Sequence, residues 1–348
     1  KGAQQVLKNG VPVNFASDNA APVAPKIMAA LQRANNGAAP SYGHDGLTRQ
    51  VEDKLRDLFE CDLRAFPVAT GTAANVLGIS SFSPAYGAVF CHPLAHIDND
   101  ECGAPEFYSG GAKLVPVAGA DGKIDPRALE EAVLEGGGSV HHVMPSVISI
   151  TQATECGSVY RPDEIAEIGI LAQKHGLALQ MDGARFANAL AFLNCHPADI
   201  TWRVGVDVLS FGATKNGAMG VEVFNMEKAR EFEFRRKRSA HLFSKMRYLS
   251  AQLDAYLEAE YWRELATNAN RMAERLADGI RGIPGATICY PVEANIIFAK
   301  LPEAALECLA VSNILYHRRA NDTDGKIRLV TSWNTTEQDI DALLNVIA

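Results

Sequence analysis

Between residues 63 and 225, short apolar runs alternate with amphipathic stretches, and nothing else in the chain constrains its fold as strongly. The runs that read as strands are Leu63–Val68, Ala88–Cys91, Lys113–Val117, Val140–Ile150, Leu177–Met181, Val206–Phe211 and Val221–Phe224. Apolar residues at helical spacing fall between them, near 72–82, 126–135, 162–175 and 184–193. Parallel strands need a long crossover between them, and a helix is the usual one. The pattern therefore predicts an α/β fold with a large, mostly parallel sheet covered on both faces.

The flanks differ. Residues 1–60 read as an arm and two helices: Pro22 and Pro25 precede Ile27, Met28 and Leu31, Asn35-Asn36-Gly37 closes that segment, and Val51, Leu55, Leu58 and Phe59 follow at helical spacing. After 226 a long helical stretch runs to about 281, with a break near Ser239–Ser244. Ala286–Tyr290, Asn295–Ala299, Leu315–Arg319 and Ile327–Val330 then read as strands, with helices near 303–312 and 335–347. At 348 residues the chain exceeds one average domain. The expected division is 1–60 arm and helices, 61–240 large α/β domain, and 241–348 long helix with a smaller α+β C-terminal domain.

The formal net charge of −8 argues against nucleic acid or an anionic membrane as partner. The basic run Arg235-Arg236-Lys237-Arg238 is expected to be a solvated helix face. Seven cysteines are scattered without a C-x-x-C pair, which suits reduced thiols and a cytoplasmic location. No apolar leader opens the sequence and no apolar run approaches the ~18 residues a membrane helix needs. His141-His142, Trp202, Trp262 and Trp333 are expected to pack in the structure, and Cys91-His92 with His96 lacks the fourth ligand of a metal site.

Three segments carry chemistry. In Val206–Gly220 an apolar strand runs into small residues around a single Lys215, where a flat ligand can approach the backbone. A lysine drawn out of water has a depressed pKa and becomes an amine nucleophile; alone, it reads as an ordinary turn lysine. In Leu177–Arg185 another apolar strand ends in Asp182, which by itself suits a helix N-cap. Ligands of open α/β sheets lie beyond the carboxyl ends of strands, so Asp182 and Lys215 are expected to face one crevice. In Phe66–Asn75 a strand turns through Thr70-Gly71-Thr72 into a helix, a weak but apt phosphate cradle. Together they offer an imine-forming amine, an acid for a pyridine nitrogen and a phosphate site, which are the needs of pyridoxal 5′-phosphate (PLP).

With those segments in view, nearly the whole chain resembles the threonine aldolase (β-eliminating lyase) family of fold-type I PLP enzymes, and most of all its low-specificity L-threonine and phenylserine aldolase branch. The resemblance is carried by Phe15–Asn19, Ser41–Asp45, Ala69–Asn75, His96–Ala104, Met181–Arg185 and Ser210–Gly220. It implies that Lys215 holds PLP as a Schiff base, Asp182 pairs with the pyridine nitrogen, His96 stacks on the ring, and Gly71, Thr72 and Thr214 hold the phosphate. Ser17, Arg185 and Arg328 would grip the substrate carboxylate, with Tyr42 beside them, and Arg247 would reach a cofactor. A bidentate guanidinium suits a carboxylate better than a lysine does. Read without the resemblance, His96 is a satisfied core histidine and Arg328 a partner in a structural salt bridge.

The implied reaction is retro-aldol cleavage of an L-β-hydroxy-α-amino acid, such as L-threonine, L-allo-threonine or L-phenylserine, to glycine and an aldehyde. His96 is the first candidate for the base and His44, standing where many relatives carry an acid, the second. The spacing from Lys237-Arg238 to Arg247 exceeds the family's usual pattern, and His241-Leu-Phe replaces its customary glycines. The resemblance also implies a homodimer or homotetramer with active sites at the dimer interface. Other PLP reactions (β-elimination, transamination, racemisation) share Lys215 and Asp182, and a non-catalytic binding protein on this scaffold is a further alternative.

Overall fold

Twelve short strands organise the computed structural model, which describes residues 12–136, 138–219, 221–225, 229–318 and 325–348. In chain order they are β1 (Val13–Asn14), β2 (Arg64–Val68), β3 (Gly87–Cys91), β4 (Lys113–Pro116), β5 (Met144–Thr151), β6 (Ala178–Gly183), β7 (Val208–Gly212), β8 (Val221–Asn225), β9 (Thr287–Ile288), β10 (Ile296–Lys300), β11 (Ile314–Leu315) and β12 (Lys326–Val330). The large sheet has the order β2-β8-β7-β6-β5-β3-β4. Only β8 runs against its neighbours; the pairs β7–β6, β6–β5, β5–β3 and β3–β4 are parallel. Every residue of β6 and β7 is buried, the pattern of parallel strands covered on both faces.

All seven expected strands of this sheet form, within a few residues of their expected ends. Val140–Ile150 is the largest departure: it begins at Met144, and Val140 is 96% exposed. Gly136, Gly138 and Ser139 shape a turn there, with His142 N–H donating to the Ser139 carbonyl. His141 and His142 are exposed rather than packed, a correction of the expectation from sequence. Trp262 is buried, as expected, whereas Trp202 is 43% exposed and held through its indole N–H to the Phe59 carbonyl.

Helices cover the sheet where proline and capping residues start them. Pro126 and Pro162 open Pro126–Glu135 and Pro162–His175 at the first helical position, where a missing N–H costs nothing. The helix Gly71–Phe82 is capped by Thr70, whose hydroxyl accepts from Ala73 N–H, and is apolar almost all round, so it sits inside the molecule. Asn75 is buried on it and bonded at both ends of its amide.

The long helical stretch after 226 is three helices, Ala229–Arg238, Arg247–Leu257 and Tyr261–Arg281. The last one links two cores. Its Tyr261, Trp262, Leu265 and Ala266 join the core under the large sheet, together with Ile27, Val51 and Leu55 of the N-terminal helices. Its Met272, Ala273, Leu276 and Ile280 join a second core with Phe15 and the antiparallel sheet β12-β10-β9. Parallel pairing of β1 with β11 anchors the arm on this second unit. The first eleven residues of the arm and Arg319, the end of the expected strand Leu315–Arg319, lie outside the described residues. In the basic run, Arg235 pairs with Glu231 while Arg236 is 8% exposed and lies over the Phe66 ring, so the run is not a purely solvated face. Among the described residues no helix is long and apolar enough to cross a membrane.

Candidate active site

The carboxyl ends of β6 and β7 meet at backbone distance. A Cβ at Gly212 would lie 2.7 Å from Ala184 Cα, so glycine is required there and the segments carrying Asp182 and Lys215 are pressed together. Lys215 follows β7 in the turn Thr214–Asn216. The turn is locked from behind: Asn216 donates to the Tyr256 hydroxyl and to the Trp262 carbonyl, both at 2.8 Å. Gly217, at φ 94°, turns the chain where an added Cβ would lie 3.0 Å from Ala24 Cβ. Two such buried bonds, each worth about 1 kcal/mol net, fix the backbone from which the lysine projects.

Two adjoining cavities open here, an inner one of about 260 Å³ and an outer one of about 490 Å³. Lys215, His96, Glu155 and Asn19 line both. The inner cavity is further walled by Gly71, Thr72, Asn75, Glu101, Asp182 and Thr214. The outer one is walled by Ser17, Arg185 and Arg328, and by Tyr290, Phe298 and His317. Nine of the twelve sequence-derived site residues thus line one cleft.

Asp182, Asn75, Glu101 and His96 hold one another in the inner cavity. Asp182 Oδ1 accepts from Ala184 N–H and Oδ2 from Asn75 Nδ2, both at 2.9 Å. Asn75 Nδ2 also donates to Glu101 Oε1, which accepts from His96 Nδ1 at 2.8 Å. A carboxylate acceptor assigns the proton to Nδ1, and the bond to Glu101 holds the His96 pKa above its ordinary value despite partial burial. Glu101 Oε2 is buried without a partner among the described residues. At the start of helix Gly71–Phe82, Thr70 satisfies Ala73 and Ala74, leaving the Gly71 and Thr72 N–H groups without intrahelical acceptors. A Cβ on Gly71 would meet nothing within 4 Å, so the backbone there is open to close approach.

Burial pushes the Lys215 ammonium below its ordinary pKa, and the Arg185 charge adds to that; Asp18, Glu155 and Asp182 oppose without overcoming it. Among the described residues its Nζ makes no hydrogen bond or ion pair. Arg185 is less free: its Nε and Nη2 donate to the two oxygens of Asp18 at 2.9 and 3.0 Å. Asn295 Nδ2 donates to the same acid at 2.9 Å. Burial raises the Asp18 pKa, but the charges of Arg185 and Lys215 carry it below the ordinary value. Arg328 donates through Nη2 to the Ala16 carbonyl at 3.2 Å, and its Nε is buried without a partner among the described residues. Ser17 accepts from Asn19 N–H at 3.2 Å, and the turn this builds presents both residues to the outer cavity.

The remaining three sequence-derived residues lie elsewhere. Tyr42 is 44% exposed under the Lys237 ammonium, with its N–H bonded to the Ser244 carbonyl. His44 sits in the same turn, and Arg247 donates to the Gly37 carbonyl at 2.8 Å. None of them lines either cavity of its own chain. His92 is spent locally, accepting from Leu94 N–H and facing the Gly119 carbonyl.

Sequence reasoning did not single out Asp18, Asn75, Glu101, Glu155 or Asn295 as site residues. Asn75 carried a signal, as a polar residue on an otherwise apolar helix turn. Glu155 carried another, since it follows the carboxyl end of β5, beside β6, where ligands of such sheets collect.

Comparison with known proteins points to one family. The profile of the beta-eliminating lyase family matches residues 14–304. A low specificity L-threonine aldolase of Pseudomonas sp. strain NCIMB 10558 is 44% identical over 326 residues, 93% of this chain and 93% of that protein. One from Pseudomonas aeruginosa is 42% identical over 324 residues, 92% of this chain and 93% of that protein. The structure of a Leishmania major threonine aldolase superposes with a TM-score of 0.90 at 28% identity, covering 97% of this chain and 98% of that one. An aspartate aminotransferase from Rhodobacter sphaeroides, at 18% identity and TM-score 0.71 over 99% of this chain and 94% of that one, shares the fold. The architecture is that of fold-type I PLP enzymes, and the chain belongs to the beta-eliminating lyase family.

Proposed function

We propose that this protein is a PLP-dependent aldolase that cleaves L-β-hydroxy-α-amino acids, including L-threonine, L-allo-threonine and L-phenylserine, to glycine and an aldehyde. The observation that carries the reading is the shared inner cavity of Lys215, Asp182 and the open helix start at Gly71-Thr72. The names of the Pseudomonas relatives, at more than 40% identity over nine-tenths of the chain, supply the reaction.

The residues fit the cofactor. Lys215 offers an unpaired amine of lowered pKa for covalent attachment. Asp182, braced by Asn75 and Ala184, is fixed to accept from a pyridinium N–H. The free N–H groups of Gly71 and Thr72, with the hydroxyls of Thr72 and Thr214, suit the phosphate. His96, tethered by Glu101, stands over the cavity as a flat cover. PLP, when bound, supplies the electron sink for a bond broken at the α-carbon. In the outer cavity, the Arg328 guanidinium suits the substrate carboxylate, with Ser17 beside it. Arg185 has two donors committed to Asp18 and contributes its charge and remaining N–H groups.

We infer further that the chain works in the cytoplasm as a homodimer or homotetramer in which Tyr42, His44 and Arg247 complete a neighbouring subunit's cleft. Their position on a surface outside their own cleft, shared with the basic run, supports this.

The test is a visible spectrum of the protein with added PLP, followed by L-threonine and then L-phenylserine. A cofactor band lost in Lys215→Ala, with acetaldehyde or benzaldehyde released by the wild type, is the expected result. A band with neither aldehyde would move the reaction to another PLP chemistry, and no band at all would reject PLP.

A further inference from the structure

Of four buried or half-buried carboxyl groups at the cleft, Glu101, Asp182 and Glu155 line it and Asp18 lies fully buried against Arg185; three of the four are matched. Asp18 holds Arg185 and Asn295, Asp182 is held by Asn75 and Ala184, and Glu101 holds His96 and Asn75. The fourth, Glu155, makes no hydrogen bond or ion pair among the described residues. It stands at the junction of the inner and outer cavities, on the loop that follows β5. The inner cavity fits the cofactor and the outer one carries Arg328 and Ser17, so an amino acid held between them would span this junction.

Resting on the aldolase reading, we propose that the Glu155 carboxylate is the base that takes the β-hydroxyl proton during cleavage and returns it in the reverse addition. The O–H bond breaks with its proton going to Glu155, and its electron pair becomes the second bond of the aldehyde carbonyl. The Cα–Cβ bond breaks, and its pair stays on the glycine side until a proton restores the C–H bond. No oxidant or reductant is needed. His96 suits this task less well, because its Nδ1 is engaged by Glu101 and that bond favours the charged ring.

The groups facing Glu155 are Lys215, Arg185 and Arg328 as cations, His96, Asp182 as an anion, and the Cys156 thiol. Burial raises the carboxyl's pKa against the pull of Lys215 and Arg185, which moves it toward neutrality, where a general base is effective. Such a base accepts protons only when ionised, so its activity rises with pH through its pKa.

The experiment uses the PLP-loaded enzyme and compares two reactions. Cleavage of L-threonine needs a β-hydroxyl base; exchange of a glycine α-hydrogen with D2O, followed by NMR, has no hydroxyl to deprotonate. In Glu155→Gln, kcat for cleavage is expected to fall at least ~100-fold, the usual minimum for a lost general base, with KM changed by less than ~3-fold. Glycine exchange and the cofactor absorbance are expected to persist. Cleavage within ~3-fold of wild type overturns the proposal, as does an equal fall of both reactions, which would make Glu155 a positioning residue. If the variant does not take up PLP, the wild type decides: the proposal requires an acid-side limb in the pH profile of cleavage that glycine exchange lacks, and fails without it. A wild type that exchanges glycine but releases no aldehyde from any β-hydroxy amino acid refutes the aldolase reading instead.

Discussion

Asp18 is the acid through which three distant parts of the chain meet, and replacing it by alanine tests that arrangement. Its side chain is fully buried and that of Arg185 is 9% exposed. In Asp18→Ala the guanidinium keeps its charge but loses both acceptors at Nε and Nη2, while Asn295 Nδ2 keeps its second acceptor, the Thr331 carbonyl at 2.7 Å. Breaking one side of a buried pair costs about 3–5 kcal/mol, because an uncompensated charge is left behind. That is a large part of the roughly 5–15 kcal/mol by which a domain is stable. Urea unfolding of the cofactor-free protein, followed by the fluorescence of buried Trp262 and by circular dichroism, measures it. Removing both charges, as in Asp18→Leu with Arg185→Met, should cost clearly less than the two single changes added together, since neither charge is stranded. The pH dependence has a fixed sign. Asp18 titrates below its ordinary 3.8 when folded, so its contribution is complete above that value and is lost as pH falls through the folded one. The wild type should therefore lose stability faster than Asp18→Ala in that acid window. A loss below ~1 kcal/mol in Asp18→Ala, or a double variant as costly as the sum of the singles, would refute the reasoning.

Glu101→Gln keeps an acceptor near His96 but removes the charge, so the His96 pKa should fall back toward 6.5; an unchanged titration of its ring proton by NMR would sink that account. Because the folded value is raised, the Glu101–His96 contact stabilises fully below 6.5 and is lost as pH rises through the folded value, so the variant should be flatter over that window. Gel filtration should give a dimer or tetramer mass rather than 37.5 kDa. Mixed subunits of Lys215→Ala and Arg247→Ala should regain part of the activity that each lacks alone, and no recovery would reject a site shared between subunits.

What was legible in the sequence was local. Pro126 and Pro162 start their helices at the expected residue, because proline fixes its own φ and is tolerated only there. The apolar runs of the large sheet are legible because strands buried on both faces admit few polar residues. Val140 misled the reading because an apolar residue beside glycines resembles a strand end until the turn around Ser139 is seen. In the cleft, Lys215 and Asp182 follow from a rule about strand ends. The Asp18–Arg185 pair joins residues far apart in sequence, and no spacing announces it. The same holds for Asn75 between Glu101 and Asp182, since only folding sets that amide between two acids.

The division of labour among the acids bears on why the scaffold alone does not name the reaction. Lys215 and Asp182 would serve any chemistry at an amino-acid α-carbon, and the aminotransferase of similar fold illustrates how widely such a frame is used. A carboxylate already bonded to a cation or an amide, as Asp18, Glu101 and Asp182 are, is held in both position and charge, which suits it to orienting its neighbour. A carboxyl without a partner, half-shielded from water and placed between cofactor and substrate cavities, can gain and lose a proton within one turnover at little structural cost. Breaking a Cα–Cβ bond next to a hydroxyl requires one proton transfer that transamination and racemisation do not. The choice of reaction therefore rests on whether the cleft keeps an acid free for that proton, and among the described residues Glu155 is the half-buried carboxyl that the surrounding network leaves free.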